Sequence, residues 1–165
     1  MFHFNSKMNI STNKLELLSR VSPQKLFKAM ILNRHETMAK LRPDLCGGTE
    51  LVRGDGGVGS IRKVYFIKGS SIDHFLLKID ELDEEKFCKY TIFDGNILKI
   101  HLEKIVYTIG CEAERDISKV RIEVAYHAKP GFKVDEQGIK KTAEKEIEIF
   151  KDVEEYLLSY PDACS

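Results

Sequence analysis

The feature that most constrains the fold is a change of hydrophobic period near the C-terminus. Between Thr49 and Lys129, apolar residues alternate in short runs separated by turn residues, which is the pattern of successive β-strands. From Glu136 to Ser159 they recur every three or four residues, which predicts one amphipathic helix. At 1.5 Å per residue this helix would be about 36 Å long. It is therefore long enough to cross a whole sheet.

The segments before and between the strands complete the predicted architecture. Ser22 and Pro23 are typical of a helix start, and a second short helix is expected from His35 to Leu41, ended by Pro43. Asp94-Gly95-Asn96 is a strong hairpin signal. Hairpin links join antiparallel strands. We therefore predict an α+β fold in which a curved antiparallel sheet of about seven strands wraps around the C-terminal helix, leaving a void between them as a ligand site.

Length and charge restrict the class of protein. The 165 residues suit one domain spanning 1–165, in which we expect residues 1–8 to be a loose leader. Lys plus Arg and Asp plus Glu both total 26, and a net charge of zero argues against nucleic-acid binding. We find no apolar run of about 18 residues and no secretory signal, so we expect no membrane interaction and a cytoplasmic location. The four scattered cysteines then remain reduced thiols.

A glycine-rich run at residues 54–59 imitates a nucleotide-binding motif. Gly54, Gly56 and Gly59 match G-x-G-x-x-G. That motif functions only where a helix follows, because the helix N-terminus faces the pyrophosphate. Here the strand-like segment Ile61–Phe66 follows, and Asp55 would repel phosphate. We therefore interpret the run as a turn between two strands.

The longer segment Arg53–Val64 closely resembles the glycine-rich segment of the plant pathogenesis-related class 10 family, whose founding member is the major birch pollen allergen, Bet v 1. Further segments that resemble this family are Leu26–Ala29, Lys78–Asp83, Phe93–Asn96, Leu102–Ile105, Tyr126–Lys129 and Val153–Leu157. The resemblance covers nearly everything from Leu15 onward. It implies seven antiparallel strands, two short helices in a V, a long C-terminal helix and a large internal cavity for apolar ligands.

The register implied by the family assigns residues to the cavity. Strand positions expected to contact ligand are Arg62, Val64, Phe66, Cys88, Tyr90, Ile92, Ile105, Tyr107, Val124 and Tyr126. On the long helix, Thr142, Glu146 and Ile149 are expected to edge the cavity, and Arg34 and Lys40 are expected at its mouth. Apolar walls with a few hydroxyl groups suit flat aromatic ligands.

One strand is ambiguous. The family register points His74 and Leu76 inward, whereas simple apolar alternation points Phe75, Leu77 and Ile79 inward. We follow the family register and add His74 and Leu76 to the predicted ligand-binding residues.

Three functions are compatible with this reasoning. The first is binding, storage or transport of apolar or aromatic small molecules, such as phytohormones, indoles, flavonoids, phenolics or alkaloids, in a defence-related plant protein. The alternative is a cofactor-independent enzyme of plant specialised metabolism that catalyses condensation, cyclisation or isomerisation, with His74 and Glu146 as candidate catalytic residues. The third function is ribonuclease activity, to which the net charge of zero gives little support. We find no metal, flavin or haem motif and expect no cofactor, no bound metal, and a monomer or weak dimer.

Overall fold

The computed structural model describes residues 2–7 and 9–163, and its elements from residue 10 onward follow the predicted succession. The strands are β1 Phe2–Lys7, β2 Ile10–Ser19, β3 Gly48–Arg53, β4 Ile61–Tyr65, β5 His74–Asp83, β6 Phe87–Gly95, β7 Leu102–Glu114 and β8 Ile117–Ala128. The helices are α1 Pro23–Phe27, α2 Arg34–Leu41 and α3 Glu136–Ser159. A π-helical segment, Lys28–Leu32, continues α1, and a 3-10 turn, Asn96–Leu98, follows β6.

The helices begin where the sequence predicts. The Ser22 hydroxyl accepts a hydrogen bond from the Lys25 N–H at 3.4 Å, and Pro23 is the first residue of α1. The residues that α3 buries against the sheet recur every three or four positions; they include Ile139, Ala143, Phe150, Val153 and Leu157. Among residues 2–7 and 9–163, no helix is long and apolar enough to cross a membrane.

All strands pair antiparallel in one sheet with the order β1-β2-β8-β7-β6-β5-β4-β3. The register shifts once between β3 and β4, twice between β5 and β6 and once between β7 and β8. Such bulges bend a strand and increase its twist. They help the sheet to curve around α3, which places the core between one face of the sheet and the helix. We call this the inner face.

The N-terminus differs from the prediction. The seven predicted strands are β2–β8, and the segment interpreted as a loose leader forms an eighth strand, β1. It pairs with β2 from Lys7 opposite Ile10 to Phe2 opposite Leu15. The physical reason is that the edge of β2 offers unpaired backbone groups to any adjacent extended segment. The alternation of Phe2 and Phe4 with polar residues was the sequence signal for this strand.

The glycine-rich run is a turn followed by strand β4, as predicted. Gly56 has a φ of 100°, a conformation that favours glycine. Its N–H donates to the Ser60 hydroxyl at 2.8 Å, and the N–H of Gly59 donates to the carbonyl of Ile79 at 2.8 Å. These donors are used within the fold. The local structure therefore does not form a cradle for phosphate.

Candidate ligand-binding site

The pairing of the strands determines which side chains share the inner face, because residues directly opposite one another in an antiparallel pair point to the same side. One row crosses five strands through Ile79, Tyr90, Tyr107, Val124 and Asn13. Parallel rows on either side are largely apolar. The inner face is thus an apolar wall with a strip of tyrosine and amide groups across its middle.

Most predicted cavity residues lie on this inner face. Those on β6, β7 and β8 do, and among them Cys88, Ile92, Ile105, Val124 and Tyr126 are buried. On β4, Val64 and Arg62 are opposite the inner-face residues Phe75 and Leu77. The Phe66 ring, just beyond β4, lies 5.7 Å from that of Phe75. Their orientation is confirmed, and their contact with a ligand stays a prediction.

The orientation predicted for β5 is wrong. His74 is opposite Tyr65 and Leu76 is opposite Lys63, which places both on the outer face. The rings of His74 and Tyr65 are 6.3 Å apart there. Simple alternation was the correct guide, since Phe75, Leu77 and Ile79 pack in or against the core. The register shift between Leu76 and Leu77 leaves Phe93 of β6 as the extra residue, so β5 itself alternates without interruption from His74 to Ile79.

Tyr90 and Tyr107 form a stacked pair at the centre of the inner face. Their ring centroids are 4.9 Å apart and their planes differ by 8°. Both side chains are only partly buried although they lie on central strands. Their remaining accessible area therefore faces the space between the sheet and the helices. Burial raises the pKa of both hydroxyls, so they remain neutral hydrogen-bonding groups at physiological pH.

An ion pair lies next to these tyrosines. Arg34, the first residue of α2, places its Nη2 3.1 Å from Oε2 of Glu146 on α3. The exposed fractions of the two side chains are 32% and 16%. Burial lowers the pKa of Arg34, but the charge and hydrogen bond of Glu146 together with Tyr90 and Tyr107 more than offset this, and the pKa lies above its ordinary value.

The ion pair and three tyrosines act on one another electrostatically. Glu146 raises and Arg34 lowers the pKa of Tyr90 and that of Tyr107. The pKa of Tyr126 is raised to about 12, mainly by burial and also by Glu146. We call Arg34, Glu146, Tyr90, Tyr107 and Tyr126 the polar cluster. It gathers residues from α2, α3, β6, β7 and β8 between the sheet and the helices.

Two predicted site residues lie elsewhere. Lys40 is exposed; its Nζ donates to the Tyr156 hydroxyl at 2.9 Å and lies 5.0 Å from the centre of that ring. Thr142 is also exposed, and its hydroxyl donates to the carbonyl of Gly138 at 2.9 Å. Both side chains project from helix surfaces that face solvent, because the rotation of each helix is set by its buried apolar stripe. Ile149 is buried in the core, and its contact with a ligand stays a prediction.

Asn13 is an inner-face residue that the sequence reasoning missed. It is 1% exposed, and its Oδ1 atom has no hydrogen-bond partner among the described residues. The signal was available: Leu15 and Leu17 are buried at alternate positions of β2, and continuing that alternation points Asn13 inward.

Two surface clefts are distinct from the polar cluster. One of about 540 Å³ is lined by Asn9, Ser11, Ala128, Gly131, Phe132, Lys133, Val134 and Glu136. The other, of about 370 Å³, is lined by Leu41, Asp152, Glu155, Tyr156, Ser159 and Tyr160. Neither is lined by a residue of the polar cluster. Within residues 2–7 and 9–163, no three His, Cys, Asp or Glu side chains are grouped so that they could hold a metal ion.

The fold and the site define a class: a curved antiparallel sheet gripping one long helix, with an apolar inner face that carries a few buried polar groups. The chain belongs to the pathogenesis-related protein Bet v 1 family, whose sequence pattern matches residues 8–160. The family predicted from the sequence is thereby confirmed.

Individual relatives agree with this assignment. The major allergen Pru ar 1 of Prunus armeniaca is 38% identical over 158 residues, which cover 94% of this chain and 99% of the relative. The crystal structure of Ara h 8.0201 is 34% identical, covers 91% of this chain and 99% of that chain, and superposes with a TM-score of 0.80. Norcoclaurine synthase from Thalictrum flavum has a TM-score of 0.73 over 96% of this chain and 95% of its own. At 20% identity it shows a shared fold alone.

Within the family, the sequence also resembles the St John's wort phenolic oxidative coupling protein, at Leu26–His35, Gly56–Gly59, Lys89–Thr91 and Tyr126–Gly131. That narrower resemblance stays a prediction.

Proposed function

We propose that this protein binds an apolar or aromatic small molecule between the inner face of the sheet and α3, and that it acts in binding, storage or transport. The observation that carries the proposal is the stacked pair of Tyr90 and Tyr107, which keeps accessible area on the inner face beside the Arg34–Glu146 ion pair. Side chains of this kind offer a flat surface for an aromatic ring and a few hydrogen bonds to orient it.

The energetics favour modest affinity and broad selectivity. Binding would be driven mainly by removing apolar ligand surface from water, at about 25 cal/mol per Å². Neutral tyrosine hydroxyls would add directional hydrogen bonds worth about 0.5–1.5 kcal/mol each. We therefore expect dissociation constants on the order of micromolar for indoles, flavonoids and other phenolics. A role in plant defence, a cytoplasmic location and a monomeric or weakly dimeric state belong to the same proposal.

The enzymatic alternative has fewer groups at its disposal than the sequence implied. His74, one of its two candidate catalytic residues, lies on the outer face. Glu146 lies in the interior but is held by Arg34. If Glu146 transferred protons, Glu146→Gln would lower a turnover rate on the order of 100-fold with little change in affinity. A carrier would show altered affinity and no turnover.

The proposal can be tested with the neutral fluorescent probe N-phenyl-1-naphthylamine and one matched pair of variants. Val64→Phe adds a ring to a half-buried position of the inner face, and Val106→Phe makes the same change on the outer face of β7. We expect Val64→Phe to weaken probe binding by about tenfold or more and Val106→Phe to change it by less than about twofold. Circular dichroism checks that both variants fold. A probe that binds both variants like the wild type would contradict an interior site.

A further inference from the structure

The Arg34–Glu146 ion pair differs from the other ion pairs that α3 makes. Arg42 also reaches α3, where it pairs with Glu148 at 3.0 Å and Asp152 at 3.1 Å, but these carboxylates are 52% and 42% exposed. Glu146 is 16% exposed and its partner faces the tyrosines of the inner face. Arg42 itself is 12% exposed, so the difference lies in the carboxylates: water can screen Glu148 and Asp152 much more than Glu146. The charge of the polar cluster therefore depends on Arg34 and Glu146 together, whereas Arg62, the cation on β4, places its Nη1 3.5 Å from the Thr49 hydroxyl.

The pair leaves the polar cluster with no net charge. Arg34 contributes one positive charge and Glu146 one negative charge, and the neighbouring Tyr90, Tyr107 and Tyr126 are neutral. A ligand carboxylate entering this space would find its cation already paired and would be repelled by Glu146. A ligand ammonium group would be repelled by Arg34. A buried charge without a partner is strongly unfavourable, so either ion would bind poorly.

We propose that the Arg34–Glu146 pair makes the interior site selective for neutral aromatic ligands over anionic and cationic ligands of the same shape. The inference rests on the proposed function and adds the class of ligand. It also gives the two partners opposite roles. Removing the charge of Glu146 leaves Arg34 to attract anions, and removing the charge of Arg34 leaves Glu146 to attract cations.

Three probes with the same indole ring separate these effects by isothermal titration calorimetry at neutral pH. Indole-3-acetamide is neutral, indole-3-acetate is an anion and tryptamine is a cation. The variants are Glu146→Gln and Arg34→Gln, which keep hydrogen-bonding capacity and remove one charge. Glu148→Gln is the matched control, because it removes the same charge two residues away on α3 from a carboxylate that is 52% exposed.

We expect the wild type and Glu148→Gln to bind the amide about tenfold or more tightly than either ion. Glu146→Gln should raise the affinity for indole-3-acetate by about tenfold or more, and Arg34→Gln should do the same for tryptamine. If Glu146→Gln does not fold alone, saturating indole-3-acetate should restore its folded state more than the amide does, since a ligand stabilises the state that it binds.

The outcomes that would overturn the inference are distinct from failure of the proposed function. A wild type that binds N-phenyl-1-naphthylamine but binds the three indoles equally, or none of them, would overturn the selectivity alone. So would a Glu146→Gln variant whose preference among the three indoles matches that of the control. Absence of binding for the neutral probe and all three indoles would overturn the proposed function as well.

Discussion

At the scale of single residues, Asn13 is an unsatisfied polar group in the core. Its Oδ1 has no hydrogen-bond partner among the described residues, although the side chain is 1% exposed. Leaving a buried acceptor unpaired costs about 1–3 kcal/mol. Replacing it with an apolar group of similar size removes that cost. We predict that Asn13→Leu raises the free energy of unfolding by about 1–3 kcal/mol in urea denaturation.

Ser19 provides the control on the same strand. It is 4% exposed, and its hydroxyl accepts a hydrogen bond from the N–H of Val21 at 3.0 Å. Ser19→Ala should therefore destabilise the protein by about 1 kcal/mol, the opposite sign. If Asn13→Leu is also destabilising, Asn13 has a partner in solution, such as a buried water, and this account of the residue is wrong.

What the sequence reveals about single residues depends on how regular the local structure is. Cys88, Tyr90 and Ile92 were assigned correctly because β6 alternates without interruption over those positions. His74 was assigned wrongly because the family register was preferred to the alternation in the sequence itself. The contact between Arg34 and Glu146 was beyond sequence reasoning, since 112 residues separate them and their meeting depends on how α2 and α3 pack.

At the scale of elements, the turn before β4 depends on close backbone packing. Gly54 and Gly59 have nearly equal φ values of 88° and 87°. A Cβ atom at Gly54 would lie 2.4 Å from the Ser60 hydroxyl and 2.9 Å from the Ser60 Cα atom, whereas at Gly59 it would meet nothing within 4 Å. Both alanine substitutions therefore impose similar backbone strain, of about 1–2 kcal/mol. Only the change at Gly54 adds a steric clash.

We therefore predict that Gly54→Ala is more destabilising than Gly59→Ala by about 1–3 kcal/mol, measured as free energies of unfolding from matched urea titrations. The pair separates steric packing from backbone strain because only the former differs. Equal losses of stability would show that Ser60 moves aside without cost and that the turn is not packed as described.

Elements with a strong local signal were predicted well. The period of α3 is a local feature, and its observed bounds match the prediction. Strand β1 was missed because six residues of alternation are a weak signal, and its stability depends on pairing with β2. The curvature of the sheet depends on register shifts between strands, which are properties of pairs rather than of single segments.

At the scale of the whole molecule, burial of the tyrosines makes stability sensitive to alkaline pH. Tyr126 has a pKa of about 12 in the folded state against 10.0 for an unperturbed tyrosine, and the pKa of Tyr90 and that of Tyr107 are raised in the same direction. Above pH 10 the unfolded chain releases protons that the folded protein keeps. The free energy of unfolding must then fall with rising pH, by about 1.4 kcal/mol per pH unit for each such tyrosine.

We predict that this contribution is fully present below pH 10 and is lost as pH rises through the pKa of the folded state. Tyr126→Phe should make the fall in the free energy of unfolding with pH less steep, by the slope that corresponds to about one proton. Tyr65→Phe, which removes a hydroxyl from the outer face, is the variant with which this slope is compared. The measurement is the free energy of unfolding at a series of pH values from 9 to 12. The buried thiols Cys88 and Cys111 titrate in the same range, in the wild type and in both variants. An unchanged slope in Tyr126→Phe would contradict the burial of this hydroxyl.

Amide chemical shifts measured by NMR during a titration with indole-3-acetamide will show whether a ligand binds between the inner face and α3. We predict that the largest shift changes occur at Tyr90, Tyr107, Val124 and Glu146, while the outer-face residues Lys63 and His74 change little. Changes confined to the two surface clefts, around Phe132 and Lys133 or around Tyr156 and Tyr160, would contradict it.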